Sequence, residues 1–188
     1  MSDFSCDVKE NIKRLETSLN VERNFDILQR EVVIAGRRAG FFFIDGFVQE
    51  DTVEKLIQFF YSLKESDMQS LDTFLEKGMP YTEVSRSSNI DNVITQFLSG
   101  VSIMTIDGFD ECLLIDCRTY PMRSVSEPWK DRVLRGSRDG FVETLVSNAA
   151  LLRRRIRDPR FSMELYGIGR RSRSDVAICY ISDSVDQS

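Results

Sequence analysis

The chain has 188 residues, of which 41% are hydrophobic and 29% charged, so it can bury one sizeable core. It contains no histidine, which excludes Ser-His and Cys-His nucleophile pairs and histidine-ligated zinc sites. Residues 118–173 carry 14 Lys/Arg against 6 Asp/Glu, whereas the rest carries 11 against 24, a division that favours pairing between the two parts or docking on an oppositely charged partner.

The N-terminus shows no targeting signal, because no basic segment precedes an apolar one. No apolar run approaches the length of a membrane span either, so the sequence as given is expected to be soluble and cytosolic. In that compartment the cysteines should be reduced core thiols; they are Cys6, Cys112, Cys117 and Cys179. Cys112 and Cys117 lie five apart on a predicted strand and should therefore point to opposite faces.

Amphipathic helices are predicted in the first hundred residues, each with a capping residue followed by apolar positions at helical spacing. Their predicted starts are Asp7, Asp51, Ser66, and Ser88 or Asn89. The first is a leader helix over residues 7–20, and Gly78 and Gly100 end the last two. Between those two helices, residues 82–89 (TEVSRSSN) are interpreted as a polar link.

Three β-hairpins are predicted from paired apolar runs around glycine turns, at Gly36, at Asp107-Gly108 and within residues 163–183. An acid–base pair or a metal site could be formed by the carboxylates of Asp107, Asp110 and Glu111 at the second turn and of Asp116 further along. Turns select such residues for local hydrogen bonds, however, and turn chemistry is the interpretation preferred. Residues 119–138 are predicted to form a long irregular stretch. This order predicts an α/β fold with a mixed sheet built from β-hairpins and helices packed in layers, not a doubly wound parallel sheet.

The segment 135–159, RGSRDGFVETLVSNAALLRRRIRDP, is a glycine-broken basic loop that runs into a helix ending in arginines. Phosphate binding at the helix N-terminus is one interpretation, but the Walker spacing is absent and Asp139 is placed to cap the helix itself. The arginines surround the apolar arc of the helix instead of forming one face, which disfavours nucleic acid as a partner. A capped helix end with one or two arginines paired to carboxylates is preferred.

This segment, together with LSGVSIMTIDGFDECLLIDCRTYPMRSVSEP before it and MELYGIGRRSRSDVAICYISD after it, resembles the spore germination receptor A-subunit family of endospore-forming bacteria. The resemblance covers residues 24–183, and RGSRDGFVE and SDVAICYISD are closer to a sporulation paralogue than to the receptor subunits. The positions that match the family motif are Arg135, Gly136, Arg138, Asp139, Gly140, Phe141, Glu143, Asn148, Arg153, Arg154, Arg155, Arg157, Asp158, Arg170 and Arg171.

The resemblance implies a protein that is not an enzyme and needs no cofactor or metal, with two α/β lobes on the cytoplasmic side followed by a domain in the spore inner membrane. This chain would then hold a leader helix (1–23), a first α/β lobe (24–160) and a final hairpin that begins a truncated second lobe (161–188). It would contact the membrane only through a C-terminal region that it lacks.

The implied partners are other subunits of a spore inner-membrane germination complex. The motif residues would have a structural and coupling role in assembly and ion release, with the arginines pairing to carboxylates of the acidic lobe or of neighbouring subunits. The alternative is a lobe that binds a small germinant, such as an amino acid, in a cleft between two lobes. A more distant alternative is a soluble enzyme or an RNA-binding protein that uses the basic loop.

Overall fold

A computed structural model describes residues 3–48, 50–78, 83–119 and 140–186 of the chain. Within these ranges the helices are α1 (Val8–Leu19), α2 (Glu50–Ser62), α3 (Leu71–Gly78), α4 (Ile90–Leu98) and α5 (Leu145–Arg155). The strands are β1 (Ile27–Ile34), β2 (Arg37–Ile44), β3 (Glu83–Ser87), β4 (Ser102–Ile106), β5 (Cys112–Asp116), β6 (Phe161–Ile168) and β7 (Ser174–Ile181). Short 3-10 turns occur at Val21–Arg23 and Glu65–Met68.

The strands form two sheets, and all the strand pairings among the described residues are antiparallel. A five-stranded sheet has the order β1-β2-β4-β5-β3, and β6 and β7 form a separate two-stranded sheet. The three predicted hairpins are β1–β2, β4–β5 and β6–β7. Gly36 and Gly108 occupy the first two turns with φ values of 84° and 86°, a region that glycine enters without a Cβ clash. The predicted α/β class is confirmed.

Helices cover both faces of the five-stranded sheet. Along β2, Phe41 and Phe43 face one side and Phe42 and Ile44 the other, because successive side chains of a strand alternate. The first side packs against α2 and α3, and the second packs against α1 and α4. Burying each of these side chains contributes about 1.5–3 kcal/mol to folding. The leader helix α1 is therefore part of this core, and its Leu15 is fully buried.

Two helix starts follow their predicted caps. The Asp7 carboxylate accepts a hydrogen bond from the Lys9 backbone N–H at 2.8 Å, and the Asn89 side chain accepts one from the Asn92 backbone N–H, also at 2.8 Å. Each cap satisfies a backbone donor that has no partner within its helix. Local sequence therefore determined both starts.

The interpretation of residues 82–89 as a polar link is wrong, because Glu83–Ser87 form β3 and pair with β5 along their whole length. The strand lies at the edge of the sheet, and its Val84 side chain packs against the core. The remaining side chains face water or the sheet rim, so the segment has the composition of a loop. Pairing with β5, which is distant in sequence, makes it a strand.

The third helix begins later than predicted. Residues Glu65–Met68 form a 3-10 turn, and the Ser70 hydroxyl accepts a hydrogen bond from the Thr73 backbone N–H at 3.1 Å at the start of α3. Ser70, not Ser66, is therefore the capping residue. Both positions hold a serine, so the sequence alone does not distinguish them. In the structure Met68, at the end of the 3-10 turn, is fully buried, and α3 begins only after it.

The cysteines differ in their burial. Cys112 and Cys117 are buried and belong to the cores on opposite faces of the sheet, as predicted. Burial raises the pKa of the Cys112 thiol to about 12, so this group stays protonated at neutral pH. Cys6 and Cys179 are exposed, and the prediction that all four are core residues is wrong for these two. Cys6 precedes the first helix, and Cys179 lies on the two-stranded sheet, which has few covering side chains.

Candidate functional site

The helix of the 135–159 segment starts five residues later than Gly140, at Leu145, with Thr144 as its N-cap. The prediction that Asp139 caps this helix is therefore wrong. Asp139 itself lies outside the described residues, as do three other motif positions, Arg135, Gly136 and Arg138. The described residues before α5, 140–144, form neither helix nor strand, and Gly140, Phe141 and Glu143 among them are exposed.

Asn148 explains this late start. Its side-chain oxygen accepts a hydrogen bond from the Val142 backbone N–H, and its side-chain N–H donates to the Val142 carbonyl, both at 2.7 Å. Both backbone groups of Val142 are thus bonded to a side chain six residues further on and are not available for helix bonds. Asn148 holds the approach to α5 in place.

The last turn of α5 carries Arg153, whose side chain is only 1% exposed. Its Nε donates to one carboxylate oxygen of Asp26 at 2.8 Å and its Nη2 to the other at 2.9 Å, a two-pronged ion pair. Nη1 donates to the Phe161 carbonyl at 3.0 Å, and the guanidinium carbon lies 5.0 Å from the centre of the Phe161 ring. The guanidinium is therefore held by the Asp26 carboxylate, the Phe161 carbonyl and the Phe161 ring.

Asn24 extends this contact network. Its side-chain oxygen accepts hydrogen bonds from Arg153 Nη2 at 2.8 Å and from the Met163 backbone N–H at 2.9 Å. Its side-chain N–H groups donate to the carbonyls of Leu19 and Asn20, each at 3.0 Å. Asn24 thereby connects the end of α1 to α5 and to β6.

We call the buried set Asn24, Asp26, Arg153, Phe161 and Met163 the Arg153 junction. It joins the segment before β1 to two elements that follow it at a long distance in sequence, the end of α5 and the start of β6. A backbone bond from the Phe25 N–H to the Met163 carbonyl at 3.0 Å reinforces it. Because β6 and β7 form their own sheet, this junction attaches that hairpin to the rest of the described structure, together with a hydrogen bond from the Asn20 side chain to the Ser162 hydroxyl at 3.1 Å.

Polar atoms in the junction are fully satisfied: within the described part of the chain no buried side-chain nitrogen or oxygen lacks a hydrogen-bond partner. This matters because removing one partner of a buried ion pair leaves a charge without solvent or counter-charge, at a cost of about 3–5 kcal/mol. The Asp26 side chain is 1% exposed, so water cannot replace Arg153 there.

The other motif residues near α5 are at the surface. Arg154 and Arg155 are exposed, and the exposed Arg157 donates from Nε to the Arg154 carbonyl at 3.3 Å, at the end of the helix. Asp158 accepts from Arg160 Nε at 2.9 Å, and this neighbouring guanidinium lowers the Asp158 pKa to about 2.

Arg170 and Arg171 lie in the turn between β6 and β7 and are exposed. Neither takes part in the Arg153 junction. Of the predicted arginines that the structure describes, only Arg153 makes a buried contact, and the others lie at the surface. Asn148 supports the start of α5.

Sequence reasoning missed Asn24 and Asp26. A signal was present, since two polar residues flank Phe25 immediately before the apolar strand ILQREVVI. Such residues at the start of a buried strand need partners, and the excess basic charge after residue 118 could supply one. The particular partner could not be read from the sequence.

The described residues show no comparable buried arrangement for an acid–base pair, a metal site or a ligand pocket. Asp107 accepts a hydrogen bond from the Val8 backbone N–H at 3.3 Å, and Glu111 forms an ion pair with Arg86 at 3.5 Å. No cluster of three or more possible metal ligands occurs in the parts of the chain that the structure describes. Two surface cavities, of about 260 and 530 Å³, contain no motif residue in their walls.

The fold is that of a spore germinant receptor domain. The crystal structure of the N-terminal domain of the A subunit of the Bacillus megaterium spore germinant receptor GerK3 matches it with a TM-score of 0.76. The match covers 100% of this chain and 69% of that chain at 21% sequence identity. Among the described residues, no helix has both the length and the apolar character that a bilayer crossing requires.

The family model described as Bacillus/Clostridium GerA spore germination protein matches residues 13–188, and the chain belongs to this family. Stage V sporulation protein AF of Bacillus subtilis (strain 168) is 31% identical over 179 residues, which are 94% of this chain and 36% of that protein. Spore germination protein GerLA of Bacillus cereus is 28% identical, over 86% of this chain and 34% of that protein. The chain thus spans about a third of the length of these relatives, and the resemblance found in the sequence is confirmed.

Proposed function

We propose that this chain is the coupling and assembly domain of a germination membrane complex, in which it holds subunits together and transmits the signal that leads to ion release. The observation that carries the proposal is the Arg153 junction. The relatives of the chain include a germination protein and a sporulation protein. A structural arginine at the joint of two sheets suits a domain that passes on movement.

The junction supports coupling because its bonds are buried and mutually dependent. A displacement of β6 relative to the five-stranded sheet would stretch the bonds from Arg153 to Phe161 and from Asn24 to Met163 together. Separating Arg153 from Asp26 would leave two buried charges unpaired. The hairpin and the sheet are therefore expected to move as one body, so that a force on the hairpin reaches the sheet.

Surface arginines supply the assembly part of the proposal. Arg154, Arg155, Arg157, Arg170 and Arg171 are exposed on α5 and on the hairpin turn. Guanidinium groups recognise carboxylates in a two-pronged geometry, and outside residues 118–173 the chain itself is rich in carboxylates. Carboxylates of neighbouring subunits are the proposed partners, with the complex in the spore inner membrane and this domain on its cytoplasmic side.

The hairpin also carries apolar residues that α5 and the junction do not cover. Leu165, Tyr166, Ile168, Val176 and Ile178 are 38–53% exposed. An isolated two-stranded sheet gains stability only when further strands or a helix pack on it. We take β6 and β7 as the beginning of a second lobe, whose remainder lies in the longer part of the relatives that this chain does not match.

The test uses the full-length protein in spores. Arg170→Glu combined with Arg171→Glu reverses two exposed charges, and we expect loss of co-purification with other complex subunits and slower ion release. The matched control is Lys9→Glu combined with Lys13→Glu, which reverses two exposed charges on α1. Unchanged co-purification and ion release in the arginine variant, at equal protein level, would sink the assembly role.

A further inference from the structure

The two edges of the five-stranded sheet differ in length and protection. The edge strands of the described sheet are β1, with eight residues, and β3, with five. The outer backbone N–H and C=O groups of an edge strand are open to pairing with another chain, and short or charged edges reduce this. β1 is the longer edge, and its Val33 side chain is 54% exposed.

A groove runs beside β1. The cavity of about 530 Å³ lies between α2 and the sheet, where β1 and the end of β2 meet. It is lined by Leu28 and Arg30 of β1, Phe43 and Ile44 of β2, and Val53, Glu54 and Ile57 of α2. Its walls are mostly apolar with a few charged groups, as is usual for binding grooves. A groove between an edge strand and a helix is the setting in which extended peptides add a strand to a sheet.

The middle of β1 carries two charged side chains that have no partner among the residues that the structure describes. Arg30 and Glu31 are exposed, and neither side chain forms an ion pair or hydrogen bond in the described part of the chain. By strand alternation Arg30 shares the α2 side with Leu28, whereas Glu31 points to the other side. An added strand gains most with a carboxylate opposite Arg30 and a cation opposite Glu31.

A second copy of this chain does not supply that pattern. When two copies pair through their β1 edges in antiparallel orientation, the α2 faces of both sheets lie on the same side. Directly opposed residues of a strand pair also point to the same side. Each residue of β1 can therefore lie opposite only a residue from the same face of the other copy. The two longest overlaps allowed by this condition place Arg30 opposite Arg30 or Glu31 opposite Glu31. Like charges directly opposite destabilise a strand pair, which disfavours self-association through β1.

We propose that the β1 edge and the groove beside α2 bind an extended segment of another polypeptide by antiparallel strand addition. The segment alternates apolar and small polar residues and has a central Arg-Glu pair, whose arginine meets Glu31 and whose glutamate meets Arg30. Leu28 and Ile57 contact its apolar side chains from β1 and α2. The inference does not depend on the function proposed above.

The opposite edge of the sheet provides a control. Arg86 of β3 forms ion pairs with Asp72 at 3.1 Å and Glu111 at 3.5 Å, so its charge is already matched. It lies on a short strand, and the cavity beside that strand, which Glu83 and Ser85 help to line, is smaller, at about 260 Å³. A charge change there tests whether any alteration of an edge strand affects binding.

The experiment measures fluorescence anisotropy of two labelled peptides, VTVRETVT and VTVERTVT, titrated with the 188-residue chain. We expect the first peptide to bind about tenfold more tightly, because two cross-strand charge pairs change from attraction to repulsion in the second. Arg30→Glu combined with Glu31→Arg should reverse this preference. Arg86→Glu should leave it unchanged.

Each other outcome contradicts the proposal. Absence of binding by both peptides, with the circular dichroism spectrum unchanged, would mean that the edge takes no added strand. Equal binding of both peptides would show a nonspecific apolar groove. A dimer in analytical ultracentrifugation that the β1 charge exchange alters would identify a second copy as the occupant. Hydrogen exchange supports the proposal only if the first peptide slows exchange at β1 amides.

Discussion

Arg153 and Arg160 lie on either side of the end of α5 and make nearly the same contact in different surroundings. Each guanidinium grips a carboxylate with two nitrogens: Arg153 holds Asp26 at 2.8 and 2.9 Å, and Arg160 holds Asp158 at 2.9 and 2.6 Å. The Arg153 and Asp26 side chains are each 1% exposed, whereas those of Arg160 and Asp158 are 56% and 29% exposed. Arg160 also contacts Asp183.

The comparison teaches that burial, not contact geometry, determines how much the chain depends on each arginine. Water solvates Asp158 once Arg160 is removed, so little is lost. Asp26 has no access to water, so removing Arg153 leaves a buried charge. A sequence motif that contains several arginines can therefore hold one buried structural residue and several exposed ones.

The largest expected effect comes from breaking the buried pair. Arg153→Met should lower the free energy of unfolding by about 3–5 kcal/mol, because Asp26 stays buried without a partner. Urea denaturation followed by circular dichroism measures the loss, and hydrogen exchange should quicken at β6 amides. The control, Arg171→Met at the exposed hairpin turn, should change the stability by no more than about 0.5 kcal/mol. Equal losses of stability in the two variants would contradict the claim that burial determines the importance of each arginine.

Removing both charges of the Arg153–Asp26 pair should lower the free energy of unfolding less than removing the Arg153 charge alone. Asp26→Leu added to Arg153→Met eliminates the orphaned carboxylate, and the double variant should regain at least about 2 kcal/mol of the loss. Full recovery is not expected, because the Phe161 carbonyl still loses its donor. A double-mutant cycle gives the coupling energy, and additive effects of the two changes would show that the buried charge is not the cause.

Asn148 provides an intermediate case, since its two hydrogen bonds to Val142 are partly buried. Asn148→Ala should lower the free energy of unfolding by about 1–2 kcal/mol, and it should release the residues before α5. Ser147→Ala, at the neighbouring position, which is also partly buried, is the control and should be nearly neutral. The prediction is wrong if both variants unfold at the same urea concentration.

The smallest effect belongs to the exposed pair and depends on pH. The Arg160 guanidinium lowers the Asp158 pKa to about 2, so ionised Asp158 stabilises the fold above its unfolded pKa of about 4, and this contribution disappears as pH falls towards 2. Arg160→Gln should return the Asp158 pKa towards its ordinary value, with little change in stability at neutral pH. Carboxyl NMR titration of both proteins decides the matter, and identical titration curves would contradict it.

Local sequence information predicted much of the fold. The α/β class, the three hairpins and the caps at Asp7 and Asn89 all rest on neighbours within a few residues, and all are confirmed. The errors occur where a distant partner decides: β3 has the composition of a loop and becomes a strand through β5. The start of α5 was missed because the Asn148 side chain bonds both backbone groups of Val142.

The sequence by itself determined the family, the layered architecture and the importance of the 135–159 segment. Apolar periodicity, turn glycines and the order of residues in a motif are local properties of the chain. The sequence left the arginines of that segment chemically equivalent. Only the tertiary structure selected Arg153, since the selection depends on Asn24 and Asp26, which lie more than a hundred residues earlier in the chain. The physical reason is desolvation: a charge gains its structural importance from the water it has lost, and burial follows from packing across the whole chain.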